Sequence, residues 1–292
     1  NVPSPSTTTP TNNSTPTWNW SAIADAVLYE VSLNGVIQGT QTNTSFTSTN
    51  LSDGNHELKV RSQDAVGNWS DYGVHVVTID LFAPSIPNPS CATPTSDSTP
   101  TWNWQVISDA VLYEVVLDAE TQGTQTETSF TSTELSEGSH ELKVRAKDAV
   151  GNWSAYGVHV VNIDSTAPSI PNPTSQTPTN NPNPSWSWQP IADAVEYEVY
   201  LNGESKGTQE NTTFVSSSNL TNGTHELKVR AKDAVGNWSN FGVSTILIDL
   251  IAPNVPSPST TTPTNNSTPT WNWSAIADAV LYEVSLNGVI QG

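Results

Sequence analysis

The stretch Asp-Ala-Val-Gly-Asn-Trp-Ser occurs at residues 64–70, again at 148–154 and a third time at 233–239. It puts a carboxylate, an amide and a hydroxyl within seven residues of one another, around a glycine. Such oxygen donors could serve Ca²⁺, which takes several oxygen ligands at once. In that reading Asp64 and Asn68 join Asp80, further along, to hold the ion. Asp148, Asn152 and Asp164 form the equivalent set, as do Asp233, Asn237 and Asp249. The competing reading is a turn. The Asp accepts backbone N–H groups, the Gly takes positive φ, the Asn bonds its own backbone, and the Trp covers the end of a core. No Asp-x-Asp-x-Asp loop supports the ion, and no cofactor is required on either reading.

Other chemistry is sparse. The five histidines (His56, His75, His140, His159 and His225) have no nucleophile motif beside them. His75 and His159 also give way to Ser244 at the third equivalent position, so catalysis is not expected. Zinc fails for lack of Cys and His spacing. The pairs Trp18/Trp20, Trp102/Trp104 and Trp186/Trp188 could stack on sugars, but two Trp at i and i+2 in a strand fit a core better. The single cysteine, Cys91, cannot form a disulfide within the chain; it is a lone thiol or an intermolecular bridge. Asn-x-Ser/Thr sequons, as at Asn43, Asn68 and Asn211, follow from the composition alone.

Composition excludes whole classes of partner. The formal net charge is −19 and only nine residues are Lys or Arg, so nucleic acid and anionic lipid would be repelled. No apolar run approaches the roughly 20 residues of a membrane helix, and no membrane insertion is expected.

Self-similarity organises the rest. Thr17-Trp-Asn-Trp returns at Thr101, as Ser-Trp-Ser-Trp at Ser185, and at Thr270. His-Glu-Leu-Lys-Val-Arg recurs at His56, His140 and His225. Residues 254–292 repeat residues 1–39 without a change, whereas the three repeats in between differ from one another. The expected domains are 1–82, 83–166, 167–251 and a partial fourth, 252–292. With no methionine at position 1 and a stop in mid-repeat, the chain reads as an excerpt of a longer array.

Each repeat alternates in the manner of short strands. Trp18 and Trp20 share one face; Val27, Tyr29, Val31 and Leu33 alternate with Leu28, Glu30 and Ser32. Asn34-Gly35 supplies a hairpin turn, Phe46 centres another strand, and Leu58 with Val60 and then Val74–Ile79 complete the set. The expected fold is all-β, a seven-stranded sandwich per repeat. Stiff prolyl connectors such as Ala83–Pro89 lie between repeats.

The stretches TPTWNWSAIADAVLYEVSLNG and LSDGNHELKVRSQDAVGNWS resemble fibronectin type III and related bacterial Ig-like repeats. The resemblance implies a Trp on strand B, a Tyr-x-Val on strand C, a corner before strand F and a DAxGN-S turn between F and G. One departure is plain: the corner Tyr is replaced by His56, His140 and His225. The function expected is a non-catalytic extender of a large extracellular surface protein, a bacterial adhesin or fibre. Its partners are then the neighbouring repeats, with surface glycans or other cells reached through domains beyond this stretch. Two alternatives stand beside it: a repeated carbohydrate- or protein-binding module, and a self-assembling filament.

Overall fold

The computed structural model describes residues 1–291. Two compact bodies are distinguished, Asn1–Thr166 and Ala167–Gly292; the first holds two repeats, the second one repeat and the start of another.

In the first repeat the strands are β1 (Thr17–Asn19), β2 (Ala26–Leu33), β3 (Val36–Gln41), β4 (Ser45–Thr47), β5 (Gly54–Asp64) and β6 (Gly73–Ile79). One sheet has the order β3-β2-β5-β6 and the other pairs β1 with β4, all antiparallel. The seventh expected strand is a segment that changes sheets. Ser6 bridges Asn19 of β1, and five residues on Thr11 bridges Ile79 of β6 in parallel, with a cis Thr9–Pro10 bond between them. The second repeat repeats this plan in β7 (Thr101–Asn103), β8 (Leu112–Leu117), β9 (Glu120–Gln125), β10 (Ser129–Thr131), β11 (Gly138–Lys147) and β12 (Gly157–Ile163).

The third repeat does so in β13 (Ser185–Ser187), β14 (Glu196–Leu201), β15 (Glu204–Gln209), β16 (Thr213–Val215), β17 (Gly223–Lys232) and β18 (Gly242–Ile248). The stretch after Ile251 forms only a short hairpin, β19 (Ser285–Leu286) with β20 (Val289–Ile290). Its Trp271 and Leu281 are exposed.

Each complete repeat has its own core. In the first it is Trp18, Trp20, Tyr29, Val31, Leu33, Leu58, Val60, Val77 and Ile79 with Leu51, and Phe46 packs against it. Trp18 has no accessible surface and Trp20 is buried behind it. The ring of Trp20 meets Tyr29 edge-on at 5.7 Å, and the Tyr29 hydroxyl accepts the Ile23 N–H at 2.8 Å. The tryptophan pair therefore lies inside, not on a sugar-binding surface. Val27 breaks the expected alternation: the register shifts between Ala26 and Leu28, and this bulge turns Val27 out to solvent.

The outer face of β2 is not simply wet. Glu30 is buried there beneath Arg61, whose guanidinium stacks 4.6 Å from the Trp69 ring and 4.8 Å from the Tyr72 ring. Glu30 accepts from Arg61 Nε at 2.9 Å and from the Tyr72 hydroxyl. The Tyr72 bond first and the Arg61 bond second hold the Glu30 carboxyl below the usual carboxylate range. The trio recurs as Arg145, Trp153 and Tyr156, and as Arg230, Trp238 and Phe241.

The prolyl segments are docked rather than free. Pro87 and Pro89 are buried against the start of β12, as Pro3 and Pro5 are against the start of β6. A Cβ on Gly157 would lie 1.7 Å from the Pro87 carbonyl oxygen; on Gly73 it would lie 1.6 Å from that of Pro3. Glycine is required at these sites because backbone passes against backbone, not because of a turn. Gly157→Ala is expected to destabilise the second repeat by about 1–3 kcal/mol through overpacking, read as a lower urea midpoint. In the third repeat, Trp186 Nε1 is buried without a partner, whereas Trp18 donates to His75 Nδ1 at 3.2 Å and Trp102 to His159 Nδ1 at 3.1 Å. Ser244 stands where those histidines stand. Ser244→His should raise the stability of the third repeat by about 1 kcal/mol by supplying the missing acceptor.

Candidate functional site

The loop that opened the sequence argument closes β5 and leads towards β6. Asp64 Oδ1 accepts the N–H of Val66 at 3.0 Å and of Asn68 at 2.9 Å, and Oδ2 accepts Asn68 Nδ2 at 2.9 Å. Gly67 takes φ +95°, a backbone that L side chains rarely adopt. Ser70 Oγ accepts the Ser62 N–H at 3.0 Å and ties the loop back to the strand. Asp148 does the same for Val150, Gly151 and Asn152, and Asp233 for Val235, Gly236 and Asn237. Burial works against ionisation of Asp148, but the bonds from the Asn152 side chain, then from the Asn152, Gly151 and Val150 N–H groups, outweigh it. Its carboxyl titrates below the usual range.

The nine candidate ligands do not gather as the sequence suggested. Asp64 and Asn68 lie at one end of β5, while Asp80 follows Ile79, which pairs with Gly54 at the other end. At roughly 3.3 Å per residue the strand separates them by about 30 Å. Asp148 and Asn152 are likewise far from Asp164, and Asp233 and Asn237 from Asp249, because β11 and β17 run the same way. Asp80, Asp164 and Asp249 instead shape the exits of their repeats, accepting the N–H of Phe82, Thr166 and Ile251. Among the described residues no group of three or more His, Cys, Asp or Glu side chains could hold a metal ion.

What the first body does bring together is the exit of one repeat and the loop of the next. Asn152 Nδ2 donates to Asp148 Oδ2 at 2.8 Å, to the Asp80 carbonyl at 2.9 Å and to the Phe82 carbonyl at 3.2 Å. A donor thus sits between these three acceptors. No signal in the sequence marked this contact, since both acceptors are backbone.

The histidines are structural. His56 Nε2 meets the Ser52 carbonyl at 2.8 Å, four residues upstream, and His140 and His225 meet Ser136 and Thr221 in the same way. The imidazole thus ties each strand start to the backbone four residues upstream. Its other nitrogen differs between repeats. His56 Nδ1 faces the Asn34 amide and His225 Nδ1 the Asn202 amide, both at 2.9 Å, so a neutral ring satisfies both contacts. His140 Nδ1 faces the Asp118 carboxylate at 2.6 Å. Both nitrogens of His140 then meet acceptors, and only the protonated ring can donate to both. The Asp118 bond accordingly raises the pKa of His140 above 6.5. Cys91 is half-buried against the second core with Sγ 3.7 Å from His159 Nδ1, and burial pushes its thiol pKa up.

Residues 4–81 match the sequence model of the family described as Bacterial Ig-like domain. Exoglucanase B of Cellulomonas fimi is 27% identical over 252 residues, 76% of this chain and 23% of that protein. Chitinase A1 of Niallia circulans is 31% identical over 183 residues, 57% of this chain and 26% of that protein. The chain therefore spans about a quarter of the length of these relatives. Among solved structures, the fibronectin(III)-like modules of Clostridium thermocellum CbhA are 16% identical, with a TM-score of 0.34 over 53% of this chain and 88% of theirs. The FN1-FN3 domains of chicken CNTN1 are 14% identical, with a TM-score of 0.38 over 84% of this chain and 98% of theirs.

The raised pKa of His140 sets the sign of a pH effect. Its stabilisation is fully present below about 6.5 and is lost as pH rises through the higher value of the folded state. In an NMR titration His140 should change charge above 6.5, and Asp118→Asn should bring it back towards that value. The second repeat of Asp118→Asn should then lose the part of its stability that falls between mildly acidic and alkaline pH.

Proposed function

We propose that the chain, whose residues 4–81 match the sequence model of a bacterial Ig-like domain and whose later repeats resemble that stretch, is a non-catalytic extender. It separates other domains of a long extracellular protein, a surface adhesin or fibre. The observation that carries this reading is the combination of a self-contained core in each complete repeat with a hydrogen-bonded joint in the first body. Units that close their own cores and touch at their ends add length as copies are added. Side chains that could do chemistry are occupied structurally: the loop aspartates by N–H groups, the histidines by corners and indoles, the tryptophan pairs by cores.

A second reading follows from the names of the relatives. An exoglucanase and a chitinase act on polymers too large to cross a membrane, so a spacer within an extracellular polysaccharide hydrolase fits the same repeats. Both readings place the chain outside the cell and give it neighbouring repeats as its first partners.

Arrays built with increasing numbers of complete repeats are expected to show a maximum dimension in solution scattering that grows in proportion to copy number. Growth as the cube root of mass would refute the extender. The chain should also stay unbound when mixed with insoluble chitin, cellulose or starch; retention by any of them would make it a binding module.

A further inference from the structure

Resting on the extender reading, we propose that the loop Asp148–Asn152 is a socket for the exit of the preceding repeat, and that Asn152 is the positioning residue that makes the joint stiff. The first and second repeats carry the same seven residues at this loop, so they form a natural comparison. The internal bonds are alike, but the surroundings are not. Val66 is 83% exposed and Gly67 and Asn68 are open, whereas Val150, Gly151 and Asn152 are partly covered; Asp148 and Ser154 are buried where Asp64 and Ser70 are only half-buried. The sequence of the loop is constant, so the difference comes from the chain that lies against it.

The fit is made by backbone and by one amide. Asn152 has two amide hydrogens: one holds Asp148, and the other is shared between the carbonyls of Asp80 and Phe82. Those carbonyls are presented together because the Asp80 N–H is held by Thr11, the Leu81 N–H by Asp53 and the Phe82 N–H by the Asp80 carboxylate. Pro84, the next fixed point, is buried. Gly151 lets the chains close: a Cβ there would lie 3.3 Å from Asn12 Nδ2, and its φ is +109°. Because carbonyls are recognised, the side chains of the exit are free to change. They read Leu81-Phe82, Ser165-Thr166 and Leu250-Ile251 between a constant Asp and a constant Ala-Pro. The stiffness of the joint thus comes from the amide clasp across it, with proline docking on one side.

The test uses the full chain carrying Cys91→Ser, with spin labels at Gln38→Cys and Gln122→Cys on the exposed strands β3 and β9. Pulsed electron–electron resonance then reads the distance distribution between the first two repeats. Asn152→Ala and Asn152→Asp are expected to broaden that distribution, whereas Asn68→Ala, which removes the same intra-loop bond but no joint contact, leaves it as in the parent. Equal broadening by Asn68→Ala would mean that the effect is loop folding alone and would overturn the clasp. A narrow distribution in all variants would also overturn it while leaving the extender reading standing. A parent chain whose distribution is already broad would defeat the stiff extender itself.

Discussion

Each complete repeat is built around a tryptophan with no accessible surface, Trp18, Trp102 or Trp186, and the rest of the repeat follows from burying it. A repeat of this size has a small core, in which a few large side chains supply much of the apolar area. Phe46 on β4 tilts against Trp18 from the partner strand, Tyr29 meets Trp20 from the opposite sheet, and Leu58, Val60, Val77 and Ile79 close the remaining sides. A two-stranded sheet of three-residue strands would not be stable by itself. β1 and β4 persist because their apolar face is the lid of that core.

Charge is arranged on top of this framework. All nine cations are engaged among the described residues: eight pair with glutamates, and Lys147 lies over the Trp153 ring at 5.3 Å. The exposed pairs contribute little each. The three arginines do more, since each joins a buried (Glu30) or half-buried (Glu114, Glu198) glutamate to a stacked aromatic and so covers the outer face of its sheet. Most of the surplus acids remain on the surface, whereas Asp148 and Asp233 are buried in their loops.

Much of this was legible in the sequence. The alternation of Tyr29, Val31 and Leu33, the Asn34-Gly35 turn with φ of 48° and 79°, and the position of Phe46 all follow from periods and turn chemistry that act locally. The exceptions share a cause: they depend on what another segment does. Val27 faces out because a bulge resets the register. The second repeat makes the same hairpin with Asp118-Ala119, at φ of 50° and 70°, without the glycine that marks such turns. Gly73 and Gly157 are required by the passage of a distant prolyl carbonyl. Asp80 and Asn152 were assigned to an ion because their types suit one, and only the strand lengths reveal that the residues of one repeat point to opposite ends. The histidines His56, His140 and His225 each meet a backbone carbonyl four residues upstream, a contact their sequence positions alone did not give.

The joint between the first two repeats touches backbone carbonyls, and this has a consequence for how such a chain can lengthen. A contact that reads only carbonyls on the exit side does not have to be re-optimised when the exit's side chains change. A coding segment that changes only the exit side chains of the first repeat would then need no compensating mutation in the loop of the second. The recurrence of residues 1–39 at 254–292 without a single difference is what unedited copying leaves behind.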